Sequence, residues 1–352
     1  MKILALPRYG RMGASSRVRF FQYIEPFIAS GLCIRPAALL DDDYLQRKYS
    51  GGSVLTSIVK AYGGRSKVLL SSRGTEVIWV EKELWPWVPA WIECAVFGRR
   101  KVVLDFDDAI FHNYDLHSST LVRCLFGRKI DALMRRADLV TAGNEYLAER
   151  ARAAGAKRVE LLPTVIDLDR YPRPLRKLAA NGRTVIVWIG SPATVHYLQR
   201  LAGPLARVAS ENDIELHVIG ARLELPGVRC VHVPWTEASE VAAISAGDIG
   251  IMPLLDSPWE RGKCGYKLIQ YMACGLPVVA SPVGVNCRIV DLGCNGFLAW
   301  DDAAWVDALA RLVKNAELRK SMGEAGRRKV EKEYCLQVTG PQLAGWLLGL
   351  QN

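Results

Sequence analysis

The stretch Ser-Pro-Trp-Glu-Arg-Gly-Lys-Cys-Gly-Tyr-Lys at 257–267 sets three cations, Arg261, Lys263 and Lys267, in a glycine-containing loop directly ahead of an apolar-periodic run. The run is read as a helix of about ten residues that Gly275 ends before the strand Pro-Val-Val-Ala-Ser. A helix N-terminus carries partial positive charge and unsatisfied amides. Such an N-terminus beside Arg261, Lys263 and Lys267 makes an electrostatic site for a diphosphate and stabilises negative charge developing on a departing nucleotide. Lys263, Lys267 and Tyr271 fall at i, i+4 and i+8 with Gln270 on the same side, and Leu268, Ile269 and Met272 supply a buried face. A solvated basic helix end is the plainer alternative.

Four further positions have the residue types of a site. Asp107 and Asp108 close the run Lys-Val-Val-Leu-Asp-Phe and precede His112. Carboxylates there suit hydroxyl recognition, general-base work or metal binding, or one of them N-caps a helix. In Arg-Tyr-Gly-Arg-Met-Gly-Ala-Ser-Ser-Arg (8–17), Gly10 and Gly13 permit close backbone approach, and Ser15 or Ser16 is expected to cap the next helix near Arg17 and Arg19. The pattern is not G-x-G-x-x-G, so it suits a phosphate or sugar, or is a plain glycine turn. Ser191-Pro192 reads as N-cap and N1 of a helix. Trp235 ends Val-Arg-Cys-Val-His-Val-Pro-Trp before a helix expected to start at Thr236, where it stacks on a base or packs.

Short β-branched runs alternating with amphipathic segments position these loops. Strands are predicted at 2–9, 33–39, 76–80, 101–106, 138–143 and 159–163, with a helix at 144–154 capped by Asn144 and ended by Gly155. A basic, proline-containing linker at 171–183 follows. The rhythm then restarts with strands at 184–190, 214–221, 228–235, 249–254 and 277–281, and the tail from about 302 is helical. Two βαβ series predict two doubly wound α/β domains, with ligands beyond the carboxyl ends of the strands and the cleft between the domains as the default site.

Composition narrows the classes. Of 352 residues, 50% are hydrophobic, enough for a sizeable core and far from disorder. No run of about 18 apolar residues exists, and the apolar start before Pro7 is too short for a signal peptide, so a cytoplasmic protein is expected. The nine cysteines show neither C-x-x-C nor zinc spacing, so free thiols are expected. The net charge of +10 is confined to one half: residues 1–177 carry 29 Lys+Arg against 19 Asp+Glu, and the remaining residues carry 17 of each. An anionic membrane face or a phosphorylated acceptor would use that surplus, as would an ordinary solvated surface. Trp79, Trp85, Trp87 and Trp91 crowd one stretch, where some can insert at an interface and most are expected to pack. The aromatics are not interleaved with basic residues as a nucleic-acid platform needs, so no nucleic-acid partner is expected.

Lys-Leu-Ile-Gln-Tyr-Met-Ala-Cys-Gly-Leu-Pro-Val-Val-Ala-Ser-Pro-Val-Gly (267–284) resembles family-4 retaining glycosyltransferases of the GT-B fold. The segments 137–151, 161–171, 248–254, 295–300 and 322–334 match in the right order. The resemblance implies an acceptor-side Rossmann-like domain at 1–175, a nucleotide-sugar-binding domain at 176–335 and a helix at 336–352 returning to the first domain. It implies a retaining transfer from a nucleoside-diphosphate sugar to a hydroxyl of a surface-glycan or lipid-linked acceptor, with no metal or other cofactor. Lys263, Lys267, Asp107 and Asp108 are then the catalytic candidates. Ser191, Trp235, Arg261, Cys264, Gly265, Tyr266 and Gln270 would bind donor, and Gly10, Gly13, Arg17 and His112 would line the acceptor side. The sequence departs from the family's Glu-x7-Glu: Gln270 takes the second, ribose-binding position, Gly262 takes the first, and Glu260 lies two residues out of register. An inactive donor-binding protein and a nucleotide-sugar epimerase on the same fold are the competing readings.

Overall fold

The computed structural model describes residues 1–72, 74–173 and 182–350. The chain forms two compact units. Met1–Thr164, Arg261–Cys264 and Leu336–Asn352 make the first, and Val165–Glu260 with Gly265–Cys335 makes the second. The chain thus changes units after Thr164, whereas the predicted linker falls mainly on 174–181, outside the described residues.

The first unit is built on a six-stranded parallel sheet of β1 (Lys2–Leu6), β2 (Cys33–Pro36), β3 (Val77–Glu81), β4 (Lys101–Phe106), β5 (Leu139–Ala142) and β6 (Val159–Leu161), in the order β2-β1-β3-β4-β5-β6. All five residues of β3, Val-Ile-Trp-Val-Glu, are buried, as expected of a central parallel strand covered on both faces. One face packs Leu4, Ile78, Val102, Leu104 and Val140 against Leu133, Met134 and Leu147 of the covering helices. Asn144 caps the helix Glu145–Ala153 by accepting from Leu147 N at 3.0 Å, and Gly155 leaves it at φ 84°. The last helix, Leu336–Leu348, belongs to this unit, with Thr339 Oγ1 2.9 Å from the Tyr23 hydroxyl.

The second unit repeats the plan with β7 (Thr184–Ile189), β8 (Ile214–Ile219), β9 (Cys230–Val233), β10 (Ile249–Met252), β11 (Val278–Ala280) and β12 (Gly296–Leu298), in the order β12-β11-β10-β7-β8-β9. The edge strand β12 is absent from the sequence reading because three residues give no usable period. Gly296 admits it, since a Cβ there would collide with the Val278 carbonyl of β11. Trp188, Leu216 and Ile251 meet Leu205, Trp305 and Leu309 on one face. On the other, Tyr266–Ala273 packs against Ala316–Glu333.

In each unit the strand order reverses once, at β1/β3 and at β7/β10. Such switch points open a crevice beyond the strand ends. All nine cysteines are free thiols. Among the described residues no helix is long and apolar enough to cross a membrane.

Candidate functional site

At the β1/β3 switch point the first loop is turned inward onto a carboxylate of the protein itself. Glu81, fully buried at the end of β3, accepts from the Arg8 amide (2.7 Å) and the Ser16 hydroxyl (2.5 Å), and the Ser15 hydroxyl lies 2.8 Å away. The Arg8 amide and both serine hydroxyls of the loop are therefore committed to Glu81. The expected serine cap is corrected: the helix Ala14–Arg19 starts at Gly13 without a side-chain cap, because Ser15 and Ser16 face Glu81 and Asp107. Gly10 and Gly13 serve close packing, since a Cβ would strike the Asp42 carboxylate at one and the Tyr9 side chain at the other. Arg17 is buried in the same helix. Arg19 is buried with Asp105, donating from Nε and Nη2 at 2.9 and 2.5 Å and from Nη1 to the Leu162 carbonyl at 2.7 Å.

Asp107 and Asp108 cap no helix. They face Lys82, whose Nζ lies 2.8 Å from Asp107, 3.4 Å from Asp108 and 4.0 Å from Glu81. Burial opposes ionisation of Asp107, but Lys82 and Arg19 outweigh it and hold that carboxyl below its usual range. Burial and the neighbouring Asp107 push Asp108 the other way, against the pull of Lys82 and Lys263. With 33% of its side chain exposed against 11% for Asp107, Asp108 is the more accessible carboxyl for a hydroxyl-bearing ligand. Lys82 sits at φ 68°, a left-handed conformation rare for a long side chain, which points to a backbone held by its surroundings. Sequence reasoning missed Glu81 and Lys82, although Glu81-Lys82 also stands at a strand's carboxyl end. His112 is fixed at both ring nitrogens, 2.8 Å from Asp115 and 2.8 Å from the Tyr146 hydroxyl.

The segment Arg261–Cys264 belongs to this unit. The buried Cys264 thiol donates to the Asp107 carbonyl (3.1 Å), and Asn144 Nδ2 donates to the Lys263 carbonyl (2.9 Å). A Cβ on Gly262 would collide with Ala109, so the first position of the Glu-x7-Glu pattern is closed to any side chain here. Arg261 is exposed and Lys263 half-buried.

In the second unit, Ser191 follows β7 but its side chain makes no capping bond. A 3-10 turn, Pro192–Thr194, intervenes before the helix Val195–Gln199, which corrects the expected single capped helix. The helix Tyr266–Ala273 starts from Gly265 at φ 66°, where a Cβ would meet Ile289. Lys267, in its first turn, holds Nζ 4.4 Å from the centroid of the Trp188 ring, and Tyr266 is half-buried. The predicted polar stripe Lys263–Lys267–Tyr271 does not form: Lys263 precedes the helix, and Tyr271 is fully buried with its hydroxyl accepting from Ile189 N at 2.9 Å. Gln270 is buried too, donating to the Tyr171 hydroxyl (3.0 Å), which lies 3.0 Å from Glu240, and the other Glu240 oxygen accepts from Trp235 Nε1 at 2.8 Å. Gln270 and Trp235 are thus joined through one hydrogen-bond network. The helix after Trp235 begins at Glu240, later than Thr236, because Thr236 and Ser239 close a turn first. Glu260 is buried and bonded to the Tyr197 and Ser257 hydroxyls.

Residues 183–315 match the family model described as Glycosyl transferases group 1. N-acetyl-alpha-D-glucosaminyl L-malate synthase of Bacillus anthracis is 26% identical over 169 residues, 44% of this chain and 42% of that protein. D-inositol 3-phosphate glycosyltransferase of Paenarthrobacter aurescens is 26% identical over 208 residues, 51% of this chain and 48% of that protein. The chain thus spans about half the length of the curated relatives it matches. Two solved structures share its fold at a TM-score of 0.73 and 15% identity: sucrose-phosphate synthase from Thermosynechococcus elongatus, covering 99% of both chains, and Anabaena Alr3699/HepE in complex with UDP and glucose, covering 99% and 100%. WaaG, a glycosyltransferase involved in lipopolysaccharide biosynthesis, aligns at 0.69 and 12% identity over 98% of each chain. With two six-stranded parallel sheets, the architecture is the Rossmann-like GT-B fold.

Proposed function

We propose that this chain, whose residues 183–315 match the family model described as Glycosyl transferases group 1, moves a sugar from a nucleoside-diphosphate sugar to a hydroxyl of a surface-glycan or lipid-linked acceptor, with retention of configuration. The observation that carries the reading is the β7/β10 switch point, with Ser191 at the end of β7 and a helix starting from Gly265 that carries Lys267 in its first turn. Relatives named for sugar transfer and a neighbour in complex with UDP and glucose support the donor class.

In this reading Lys267 and Lys263 stabilise the leaving diphosphate, and Ser191 with the amides at Cys264 and Gly265 donates to it. The departing diphosphate takes the acceptor proton, so the protein needs no nucleophile of its own and contributes positioning and charge. Gln270 holds ribose beside the Tyr171–Glu240–Trp235 network, and Trp235 lies near the base. Asp108, with Asp107 held ionised behind it, binds a sugar or acceptor hydroxyl. The reading assigns no resident metal or cofactor. It places the protein at the inner face of the cytoplasmic membrane, where the basic first half meets anionic lipid carrying the acceptor.

A thermal-shift screen of UDP, GDP, ADP and CMP with their common sugars tests the donor site. A ligand at about 100 times its Kd adds about 2.7 kcal/mol, a rise of about 5 °C or more for a domain of this size. One nucleoside diphosphate is expected to give that rise, and Lys267→Ala is expected to abolish it. No shift with any of them overturns the reading.

A further inference from the structure

Beyond the carboxyl ends of β10, β11 and β12 the second unit holds a cavity of about 380 Å³. It lies where the helices Val195–Gln199 and Asp302–Lys314 approach the sheet, and no residue assigned above to the donor lines it. Its floor is tied together: Leu254 N donates to Ser281 Oγ at 2.9 Å, Ser281 N to the Met252 carbonyl at 3.1 Å, and Ala299 N to the Ala280 carbonyl at 2.9 Å. Buried Tyr197 and Trp305 form the wall. Trp300 stands on the rim with 73% of its surface exposed. The residues on either side of it are pinned, Ala299 by β11 and Asp301 by accepting from Ala304 N at 2.8 Å, so the indole is presented on a fixed backbone.

A large aromatic left in water beside a concave, hydrogen-bonded floor points to a partner surface. Arg200, Asp256, Asp301 and Asp302 share the lining with Trp300. The surplus of carboxylates over the one guanidinium repels phosphate and nucleotide. Among the described residues no three His, Cys, Asp or Glu are grouped to hold a metal ion. This lining is complementary to a neutral ring with an apolar face for the indole and hydroxyls that both donate to carboxylates and accept from Arg200. We propose that this cavity is a second carbohydrate site, taking one or two rings of a neutral saccharide. The site stands apart from the transferase reading; if that reading holds, it retains a glycan chain beyond the reacting sugar.

The test is calorimetric titration of the full chain with glucose, galactose, mannose, N-acetylglucosamine, maltose and cellobiose. At least one of these is expected to bind in the millimolar range or tighter. Trp300→Ala is expected to weaken it about tenfold, consistent with losing the burial of one aromatic face. Asp302→Asn is a second variant, which keeps shape while removing a charge at the rim. Saturating nucleoside diphosphate is expected to leave the sugar bound, and Trp300→Ala to leave nucleotide-induced thermal shifts unchanged. Absence of binding by every sugar, binding indifferent to Trp300→Ala, or displacement by nucleotide would each overturn the proposal. A failed donor screen with intact sugar binding would overturn only the transferase reading.

Discussion

At the residue scale, the first unit rests on charges taken out of water and matched to partners far away in sequence. Arg19 and Asp105 are both fully buried, and Thr141 Oγ1 adds a bond to Asp105 at 2.6 Å. Removing one member strands the other, which costs about 3–5 kcal/mol in buried pairs. Arg19→Met is therefore expected to lower the urea-unfolding free energy by about that much, and adding Asp105→Leu to recover most of it. Lys129 sits 2.6 Å from Glu83 and 2.8 Å from Glu93 in the same unit. Burial raises the Glu93 carboxyl to about 7, against the pull of Lys129 and with the push of Glu83. A carboxyl raised in the folded state binds its proton more tightly there than in the unfolded chain. Its contribution to stability is thus full below the unfolded value and is lost as pH climbs through about 7. Melting temperatures between about pH 5 and 8 are expected to fall less steeply for Glu93→Gln than for the wild type; parallel slopes would refute the assignment.

Helices and strands here are fixed by glycines at contacts as much as by propensity. Gly323, inside the helix Ala316–Glu333, leaves no space for a Cβ against the Gly275 carbonyl. In an isolated helix Gly→Ala gains about 1 kcal/mol. In this fold Gly323→Ala is expected to lose about 1–3 kcal/mol, because the Tyr266–Ala273 helix and its exit loop would have to shift. A lower urea midpoint for the variant checks the sign. Gly262 makes the same point: the residue at the first position of the Glu-x7-Glu pattern is the one Ala109 crowds.

For the molecule as a whole, the surplus of ten positive charges in residues 1–177 has a surface counterpart. Trp79 and Trp85 are core residues, but Trp91 is 71% and Trp87 50% exposed. Trp87 packs edge-on to His117 and to Phe126 of the helix Thr120–Phe126, on which Leu121, Arg123 and Leu125 are exposed. Apolar side chains among exposed cations suit an anionic lipid surface. Sedimentation with anionic liposomes is expected to retain the protein at low salt. Adding salt or replacing Trp91 and Leu125 by Ser is expected to release it. Failure of anionic liposomes to retain the wild type would remove the membrane from the proposed function.

The sequence by itself determined the two parallel α/β series, eleven of the twelve strands among the described residues, the Asn144 cap and the loops at the strand ends where candidate residues lie. Those features depend on local period and on single-residue backbone preferences, which spacing reports directly. The tertiary structure alone decided which side chains those loops turn inward. Period cannot show that Gly250 of β10 makes room for the Tyr271 ring and that Ile189 N reaches its hydroxyl, so Tyr271 read as polar-faced and is core. Nor can it show Ser15 and Ser16 meeting Glu81 across 66 and 65 positions, or Lys82 meeting Asp107. A buried charge is tolerated only where a partner arrives, and parallel strand order, set by non-local packing, determines which partner does.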